Sequence, residues 1–332
     1  MKLSVIIPVF NGEKYIRRAY DSVKSQNLEA YAYEIIFVDN NSTDNSAILI
    51  DELIQIDCKV KSVNQPKQGE ANARNKGIEK AQGDYIHQLD VDDELYPEAL
   101  NKMIAILDEN QEVDAVVGKM VKSGKDLANT IKPKDETNEV ILKNKPYWGL
   151  KWFLNLGTVV GEAAFMHRKS VFEKIGNYNV NISMGTDTAL DIKLGILCNV
   201  AHIDTYIYLY FKHFDSITAH SKRNLNQIFH LWSRTIEADL PLYYSHNIPL
   251  EYKRTLFRQV FSTMGKIIYY SDGFQTRYEV YKKIPLDVMP LKVPLLIRAY
   301  LFVLVIFPIK ILLKFYVYYF SKWHVRRYMN FF

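Results

Sequence analysis

The stretch "LSVIIPVFNGEKYIRRAYDSVKSQNLEAYAYEIIFVDN" (residues 3–40) decides the fold, because it holds one strand–helix–strand unit. It starts with the apolar run "LSVII" and ends near the β-branched run "EIIFV", each with the length and composition of a buried strand. Between them Tyr15, Ala19 and Val23 recur every four residues, which is the spacing of one helix face. The stretch therefore predicts two buried strands joined by a helix.

The same alternation continues along the first third of the chain. Short apolar runs recur in "VKSVN" (60–64), "GDYIHQL" (83–89) and "VDAVVG" (113–118), with helical patterns between them. Strands joined by helices in this way pair in parallel with right-handed crossovers. We therefore predict an α/β fold with a doubly wound, mainly parallel sheet over residues 1–118.

The patterns change beyond that point. Residues 119–160 are lysine-rich and mixed, so we expect irregular structure there. Order resumes in 158–180, which predicts a strand and then a helix that stops at Gly176. Helical patterns follow at 184–197 and 224–283.

Composition and charge limit the class of protein. Of the 332 residues 48% are hydrophobic and 24% charged, as in a globular protein, and the net charge is +5. No basic recognition module is visible, so we expect no nucleic-acid partner. The two cysteines, Cys58 and Cys198, are far apart in apolar surroundings, which favours a reducing compartment. The N-terminal run lacks a cleavage-like site, so we expect no signal peptide.

Three polar clusters follow predicted strands. They are "PVFN" (8–11), "VDNNSTD" (38–44) and "LDVDD" (89–93). In an open α/β sheet, ligands bind beyond the carboxyl ends of the strands. The prediction therefore places Asp39 and Asp90 on the same rim of the sheet.

The third cluster holds four acids in five positions: Asp90, Asp92, Asp93 and Glu94. They can lie in a solvated turn, pair with Lys or Arg, or start the helix that Pro97 opens. The alternative is a divalent metal, since hard oxygen ligands suit Mg²⁺ or Mn²⁺ in sites shared with substrate phosphates. If a diphosphate binds there, its nucleoside should bind on the same rim.

Three side chains suit a nucleoside. Asp39 can accept an N–H from a pyrimidine base, Phe10 can stack on a ring, and Arg74 offers planar donors to base or phosphate. The competing interpretations are a turn or helix cap for Asp39 and a solvated helix charge for Arg74.

Five motifs in order resemble glycosyltransferase family 2, the inverting nucleotide-sugar enzymes of the GT-A fold. The resemblance covers roughly residues 3–220 and is carried by "VIIPVFNGEKYI", "EIIFVDNNSTDNS", "QPKQGEANARNKGI", "GDYIHQLDVDDEL" and "FMHRKSVFEKIGNYN…MGTD". It implies a Rossmann-like GT-A catalytic domain over 1–220, with a nucleotide-binding half (1–118) and an acceptor-side half (119–220). A helical C-terminal region would occupy 221–332.

The resemblance also implies roles for named residues. Pro8, Phe10 and Asp39 would line a uridine pocket, and Arg74 would contact the nucleotide, as would Asp90. Asp90 and Asp92 would be the metal-binding pair for Mg²⁺ or Mn²⁺, with Asp92 as the direct ligand.

Asp187 would be the general base, as the second member of the family's Glu-Asp pair. Thr186 stands where the pair has Glu, and Asp191, one helical turn on, is the alternative base. The segment "KHFDSITAHSKR" resembles a later family segment near the diphosphate, to which His213, Ser216 or His220 would contribute.

The implied reaction is metal-assisted transfer from a UDP-sugar to a hydroxyl of a saccharide, by a hexosyl- or N-acetylhexosaminyltransferase. The acceptor would be lipid-linked or part of a cell-surface polysaccharide. The alternatives are a nucleotidyltransferase of similar sheet topology and a non-catalytic membrane adaptor.

The C-terminal tail, residues 288–332, has no Asp or Glu but seven Lys and Arg. Its longest uncharged run, Ala299–Ile309, is shorter than the roughly 20 apolar residues of a spanning helix. We therefore expect interfacial helices and a cytoplasmic protein, peripheral on the inner face of the cell membrane. A helix packed on protein and an oligomer contact are the competing interpretations.

Overall fold

The computed structural model describes residues 1–214 and 227–329. They form two compact units, one of residues 1–180 with 186–214 and one of 181–185 with 227–329. The predicted boundary between 220 and 221 lies outside the described residues, as do Ser216 and His220.

The first unit is built on a nine-stranded sheet within the described residues. Its strands are β1 (Leu3–Val9), β2 (Tyr33–Asp39), β3 (Val60–Asn64), β4 (Tyr85–Gln88), β5 (Glu94–Leu95), β6 (Ala115–Ser123), β7 (Val140–Lys143), β8 (Phe165–Arg168) and β9 (Val200–Phe211). The order is β3-β2-β1-β4-β8-β6-β9-β5, and β7 pairs with β9.

Seven helices accompany this sheet in the described part of the first unit. They are α1 (Ile16–Lys24), α2 (Ser46–Ile56), α3 (Glu70–Lys80), α4 (Ala99–Glu109), α5 (Tyr147–Leu154), α6 (Ser170–Ile175) and α7 (Thr186–Leu197). One-turn 3₁₀ helices occupy Leu156–Thr158 and Glu162–Ala164.

Strands β3, β2, β1 and β4 are parallel neighbours, which confirms the predicted α/β class. All of β1 except Pro8 is buried, as expected of a strand covered by helices on both faces. The helical C-terminal region is confirmed as well.

The sheet departs from the prediction next to β4. There β8, from much later in the chain, pairs antiparallel with both β4 and β6. Local periodicity identifies strands but carries no information on which distant strand becomes a neighbour. The run of parallel strands therefore stops at β4, and among the strands that the structure describes only β6 and β9 pair in parallel beyond it.

The prediction of irregular structure over 119–160 is wrong in part. Strand β6 continues to Ser123, and both β7 and α5 lie within the segment. Helix α5 packs closely on α7, since a Cβ on Gly149 would lie 2.3 Å from the backbone nitrogen of Ile196. The contact requires glycine, which no local pattern indicates.

The second unit is helical throughout its regular structure. Its helices are α8 (Gln227–Arg234), α9 (Leu240–Ser245), α10 (Leu250–Tyr269), α11 (Gly273–Asp287), α12 (Leu295–Ile306), α13 (Lys310–Phe315) and α14 (Ser321–Met329), with π-helical turns at Thr235–Asp239 and Tyr316–Phe320. No helix within residues 227–329, or elsewhere in the described chain, has the length and apolar character needed to cross a bilayer.

Helix α10 forms the centre of this unit. The Tyr316 ring lies so close to Gly265 that a Cβ there would be 2.5 Å from it, and the Tyr316 hydroxyl donates to the Phe261 carbonyl at 2.8 Å. The tail is therefore anchored on α10 by a buried aromatic side chain with a satisfied hydroxyl.

Candidate active site

Two loops meet at the carboxyl ends of β1 and β2. The register sets Val9 opposite Asp39, so the residues that follow both strands emerge side by side. The Asn11 amide donates to Oγ of Ser42 at 3.0 Å, and the Thr43 amide donates to Oδ1 of Asn11 at 2.8 Å. These reciprocal bonds bring the first two predicted clusters together.

Asn40 joins the loop after β3 to the same rim. Its Nδ2 donates to the carbonyls of Gln65 and Lys67 at 2.8 Å each, and its Oδ1 accepts from the Gly69 amide at 2.8 Å. This satisfied amide positions the start of α3. The sequence prediction did not single out Asn40, although it lies inside the quoted cluster beside Asp39.

The predicted nucleoside residues lie along this rim. Pro8 is half-buried in β1, and Phe10 directly after the strand is 52% exposed. Asp39 is half-buried and accepts from the Ser42 amide at 3.2 Å. The turn role predicted as its alternative is thus present, and its second carboxylate oxygen can still accept from a ligand.

Arg74 is buried, so its interpretation as a solvated helix charge is wrong. Its Nη2 lies 2.6 Å from Oδ1 of Asp90, and its Nη1 lies 2.6 Å from Oε1 of Glu70. The guanidinium also lies 5.5 Å from the Tyr178 ring centroid. A buried cation held by two carboxylates has a fixed position, and it fixes Asp90 in turn.

Asp92 faces the end of β9. Nε2 of His213 lies 2.8 Å from its Oδ2. Burial raises the pKa of the Asp92 carboxyl, Asp90 raises it further, and the bond to His213 opposes both. The structure thus brings His213 to the acidic cluster from more than a hundred residues away in sequence.

An aromatic group supports His213. Its ring lies 5.6 Å from Phe211 and 5.2 Å from Tyr15. The Arg18 guanidinium lies 4.4 Å from the Phe211 centroid and donates to the Asp92 carbonyl at 2.6 Å. No local sequence pattern identifies Arg18 or Phe211 as residues that support His213 and Asp92. Their contacts join segments that are far apart in the chain.

The interpretation of Asp93 and Glu94 as the start of the next helix is wrong. Asp93 is buried and accepts from the Phe211 amide at 2.9 Å. Glu94 lies in β5 and accepts from the Leu127 amide at 2.9 Å. Burial raises the pKa of Asp93 well above its usual range, with Asp92 and Asp90 adding to the effect. Both residues connect the cluster to β9 and to the segment after β6.

The donors around Asp92 fit part of a metal site. Within the described residues no three or more His, Cys, Asp or Glu side chains form a group able to hold an ion. Asp92, His213 and the nearby Asp90 supply oxygen and nitrogen donors. Such a set suits an ion whose other ligands come from diphosphate oxygens and water.

The two predicted bases differ in access. Asp187 is half-buried in the first turn of α7, and its Oδ1 accepts from the Thr188 amide at 2.7 Å. Asp191 is 0% exposed, and neither of its carboxylate oxygens has a hydrogen-bond partner in the described part of the chain. Burial raises the pKa of Asp191 well above its usual range, and Glu162 and Asp187 raise it further. A fully buried carboxyl cannot reach an acceptor hydroxyl in this conformation.

Glu162 is a site residue that the sequence prediction missed. It is buried on the 3₁₀ turn before β8, and Nε2 of Gln88 lies 3.4 Å from its Oε1. Burial raises its pKa to about 7 against the lowering effect of Arg74, and Asp187 and Asp90 raise it further. The sequence does carry one signal for Glu162, because it is the lone acid within the apolar run "VVGEAAF" (159–165).

Comparisons with known proteins relate the chain to glycosyltransferases. The family model described as glycosyl transferase family 2 matches residues 4–176. An uncharacterized glycosyltransferase of Haemophilus influenzae is 40% identical over 109 residues, which are 32% of this chain and 43% of that protein. The uncharacterized glycosyltransferase EpsJ of Bacillus subtilis is 25% identical over 218 residues, 65% of this chain and 62% of that protein. The chain thus spans less than two thirds of these curated relatives.

A solved structure shares the fold. The crystal structure of S. aureus TarS 1-349 in complex with UDP-GlcNAc superposes with a TM-score of 0.57 at 17% identity, covering 87% of this chain and 88% of that one. At this identity the likeness concerns the fold. The family match extends over more than half of the chain and includes β1 to β4 with their loops, and it shows that the chain belongs to glycosyl transferase family 2.

Proposed function

We propose that this protein is an inverting, metal-assisted glycosyltransferase that moves a sugar from a UDP-sugar to a hydroxyl of a saccharide acceptor. The observation that carries the proposal is the pairing on one rim of Arg74 with Asp90 and of His213 with Asp92. Four charged or titratable groups held in this way form a site for a ligand that carries both negative charge and a cation. A nucleotide-sugar diphosphate with its metal has those two properties.

The nucleoside end of the donor would bind beyond β1 and β2. Phe10 exposes a ring for stacking on the base, and Asp39 retains an acceptor for an N–H of uracil. Pro8 would shape the wall between them. The Arg74 guanidinium has two donor groups in fixed positions. The same guanidinium that holds Asp90 would also donate to the nucleotide.

Asp92, with Asp90 and His213 beside it, would hold the divalent ion. When bound, Mg²⁺ or Mn²⁺ offsets the charge that develops on the leaving diphosphate. Burial raises the pKa of the Asp92 carboxyl and the neighbouring Asp90 raises it further, and a bound cation would offset the repulsion between these two carboxylates.

Asp187 would act as the general base, because it is accessible and Asp191 is not. It would take the proton of the acceptor hydroxyl as the oxygen forms its bond to the anomeric carbon. The bond from that carbon to the diphosphate breaks at the same time, and UDP leaves with the electron pair. Attack from the opposite face inverts the anomeric centre.

The printed names of two relatives support a class of acceptor. S. aureus TarS is named a poly(ribitol-phosphate) β-N-acetylglucosaminyltransferase, and a relative from Bacillus spizizenii is named a poly(ribitol-phosphate) β-glucosyltransferase. These names support a hydroxyl on a cell-surface polymer or its lipid-linked precursor as acceptor. We place the reaction in the cytoplasm at the inner face of the cell membrane, where a UDP-sugar meets such a precursor.

The assignment of the base is tested by Asp187→Asn, which keeps the shape but removes the proton acceptor. We expect UDP affinity to stay within about twofold while the transfer rate falls by about 10²–10⁴. UDP affinity is measured by calorimetry and transfer by UDP release with a panel of UDP-sugars and polymer acceptors.

Asp191→Asn is the matched control. It should transfer at a rate within a few fold of the parent, because the buried side chain does not reach the acceptor. A large loss in Asp191→Asn with none in Asp187→Asn would move the base to Asp191.

The metal assignment is tested by Asp92→Ala in the presence of Mn²⁺. We expect loss of transfer and weaker UDP binding whose dependence on Mn²⁺ concentration is reduced. Normal turnover by Asp92→Ala would refute the metal assignment. If none of the predicted site carboxylates were needed, the protein would be a non-catalytic adaptor. Release of diphosphate from a nucleoside triphosphate, in place of UDP from a sugar donor, would identify a nucleotidyltransferase.

A further inference from the structure

Helix α12 is apolar on both of its faces. Its buried face consists of Ile297, Leu301, Leu304 and Val305. Its other face is exposed, with Leu295, Leu296, Ala299, Phe302, Val303 and Ile306. Leu295 is 81% exposed, and Arg298 is the one charged residue of the helix. A globular surface helix normally has one apolar stripe and one polar face, so the described residues of this unit do not account for the second apolar face.

The exposed apolar residues continue beyond the helix. Phe307, Pro308 and Ile309 are all exposed in the connection to α13, and Ile311 on α13 is 72% exposed. Phe315, one turn after Ile311, is exposed as well. Contiguous exposed apolar surface of this kind marks an interaction site. We call the exposed apolar side chains of residues 295–315 the apolar face.

Cations border the apolar face without acidic neighbours in sequence. Lys310 and Lys314 lie on α13, and both are exposed. The other five Lys and Arg of the tail are exposed as well and lie outside α13: Lys292, Arg298, Lys322, Arg326 and Arg327. No Asp or Glu occurs after Asp287. The ion pairs of this unit involve residues up to Asp287 only, as far as the described residues extend.

The apolar face is built on a fixed scaffold. Nε of Arg277 donates to the Val305 carbonyl at 2.9 Å, and the Tyr300 hydroxyl donates to the Leu312 carbonyl at 3.1 Å. With Tyr316 docked on α10, these bonds hold α12 and α13 in place. The exposed side chains are therefore presented by an ordered surface and need no folding step to become available.

We propose that the apolar face and its bordering cations dock on an anionic lipid bilayer surface, with α12 and α13 lying in the interface. Apolar side chains would enter the boundary of the acyl chains while Lys310 and Lys314 contact phosphate head groups. A second copy of the same surface would bring like charges together, which opposes a symmetric dimer. The inference deepens the proposed location at the membrane and does not depend on the chemistry of the first unit.

The test is co-sedimentation of the full chain with lipid vesicles. We expect binding to mixed phosphatidylcholine–phosphatidylglycerol vesicles, weaker binding to phosphatidylcholine alone, and weakening by salt. The double variant Lys310→Glu, Lys314→Glu should lower the partition coefficient by about thirtyfold or more, the factor for two cations at about 1 kcal/mol each. The double variant Leu295→Ser, Ile311→Ser should lower it on both kinds of vesicle.

Matched controls come from exposed residues of the first unit. Lys134→Glu with Lys143→Glu makes the same charge change, and Ile48→Ser with Ile56→Ser removes the same kind of side chain. Both should bind vesicles as the parent does. All variants are compared by thermal unfolding, and because only exposed residues are altered we expect unchanged midpoints.

Three outcomes would overturn the proposal. They are equal binding to neutral and anionic vesicles, equal loss in the controls, and a dimer in lipid-free sedimentation that the Leu295→Ser, Ile311→Ser variant abolishes. UDP binding by the same preparations separates the two proposals. Vesicle binding without UDP binding would refute the proposed function alone, and UDP binding without vesicle binding would refute the membrane surface alone.

Discussion

The rim of the first unit and the apolar face of the second differ in whether their charged side chains are paired within the protein. On the rim, Arg74 is buried between Glu70 and Asp90, and Asp92 is bonded to His213. Beside the apolar face, Lys310 and Lys314 are exposed among exposed apolar side chains. The charges of the rim therefore have partners inside the fold, whereas Lys310 and Lys314 have no ion-pair partner among the described residues.

This difference separates two kinds of recognition. Charges paired inside a fold have fixed positions, which suits a small ligand whose atoms must be placed within a fraction of an ångström. Exposed cations on long side chains adapt to a surface of varied composition, which suits lipid head groups. Each of the next three predictions tests one side of that contrast, in order of decreasing expected effect on stability.

The largest effect is expected for Arg74→Met, which removes the buried cation and leaves two carboxylates facing each other. We expect a loss of about 3–5 kcal/mol in the free energy of unfolding. Urea denaturation measures it. The control is Arg17→Met, which breaks the exposed pair with Asp21 and should change stability by less than about 1 kcal/mol. Equal losses in the two variants would mean that the rim is no better ordered than the surface.

The second effect concerns the two faces of α12. Leu304→Ala should cost about 2–4 kcal/mol, because Leu304 is 0% exposed and the substitution leaves a cavity. Leu295→Ala on the opposite face should change stability by less than about 0.5 kcal/mol. Thermal or urea unfolding separates them. A large loss for Leu295→Ala would show that this face is covered by protein.

The third effect is a pH dependence from Glu162. Its pKa of about 7 in the folded state exceeds the ordinary 4.5, so the unfolded chain ionises first as the pH rises. The folded state therefore loses stability between about pH 4.5 and 7, and the loss persists above that range. Glu162→Gln should lack this loss, so its stability relative to the parent should rise by about 2 kcal/mol from pH 5 to pH 8.

Unfolding of both proteins at matched pH values checks this third prediction. The difference between them reports Glu162 together with Asp191, because the Glu162→Gln protein also lacks one of the charges that raise the pKa of Asp191. A constant difference across the pH range would mean that Glu162 titrates normally.

The parallel half of the sheet could be predicted because its information is local. Strands β1 and β2 are short buried apolar runs, and β1, β2 and β4 are each followed by a polar cluster near the carboxyl end. Because parallel strands share one ligand-binding edge, the sequence alone predicts that Asp39 and Asp90 lie on the same rim. The roles of Asp39, Asp90, Asp92 and Asp187 stay predictions until the variants are measured.

The failures share one cause. Strand β8 enters between β4 and β6, and Asp93 accepts from the Phe211 amide instead of starting a helix. Each contact joins residues far apart in the chain. Local pattern and propensity report the state of a segment and not its partner, so these could not be predicted from spacing.

What the amino-acid sequence determined is the α/β alternation, the acidic and amide-rich loops at the strand ends, the family motifs and the acid-free basic tail. All of these depend on residue type and short-range order. Only the tertiary structure decided which charges are buried and paired, which base is accessible, and which face of α12 is left exposed. Burial and pairing depend on what the rest of the chain packs against each side chain, and that is a property of the folded molecule.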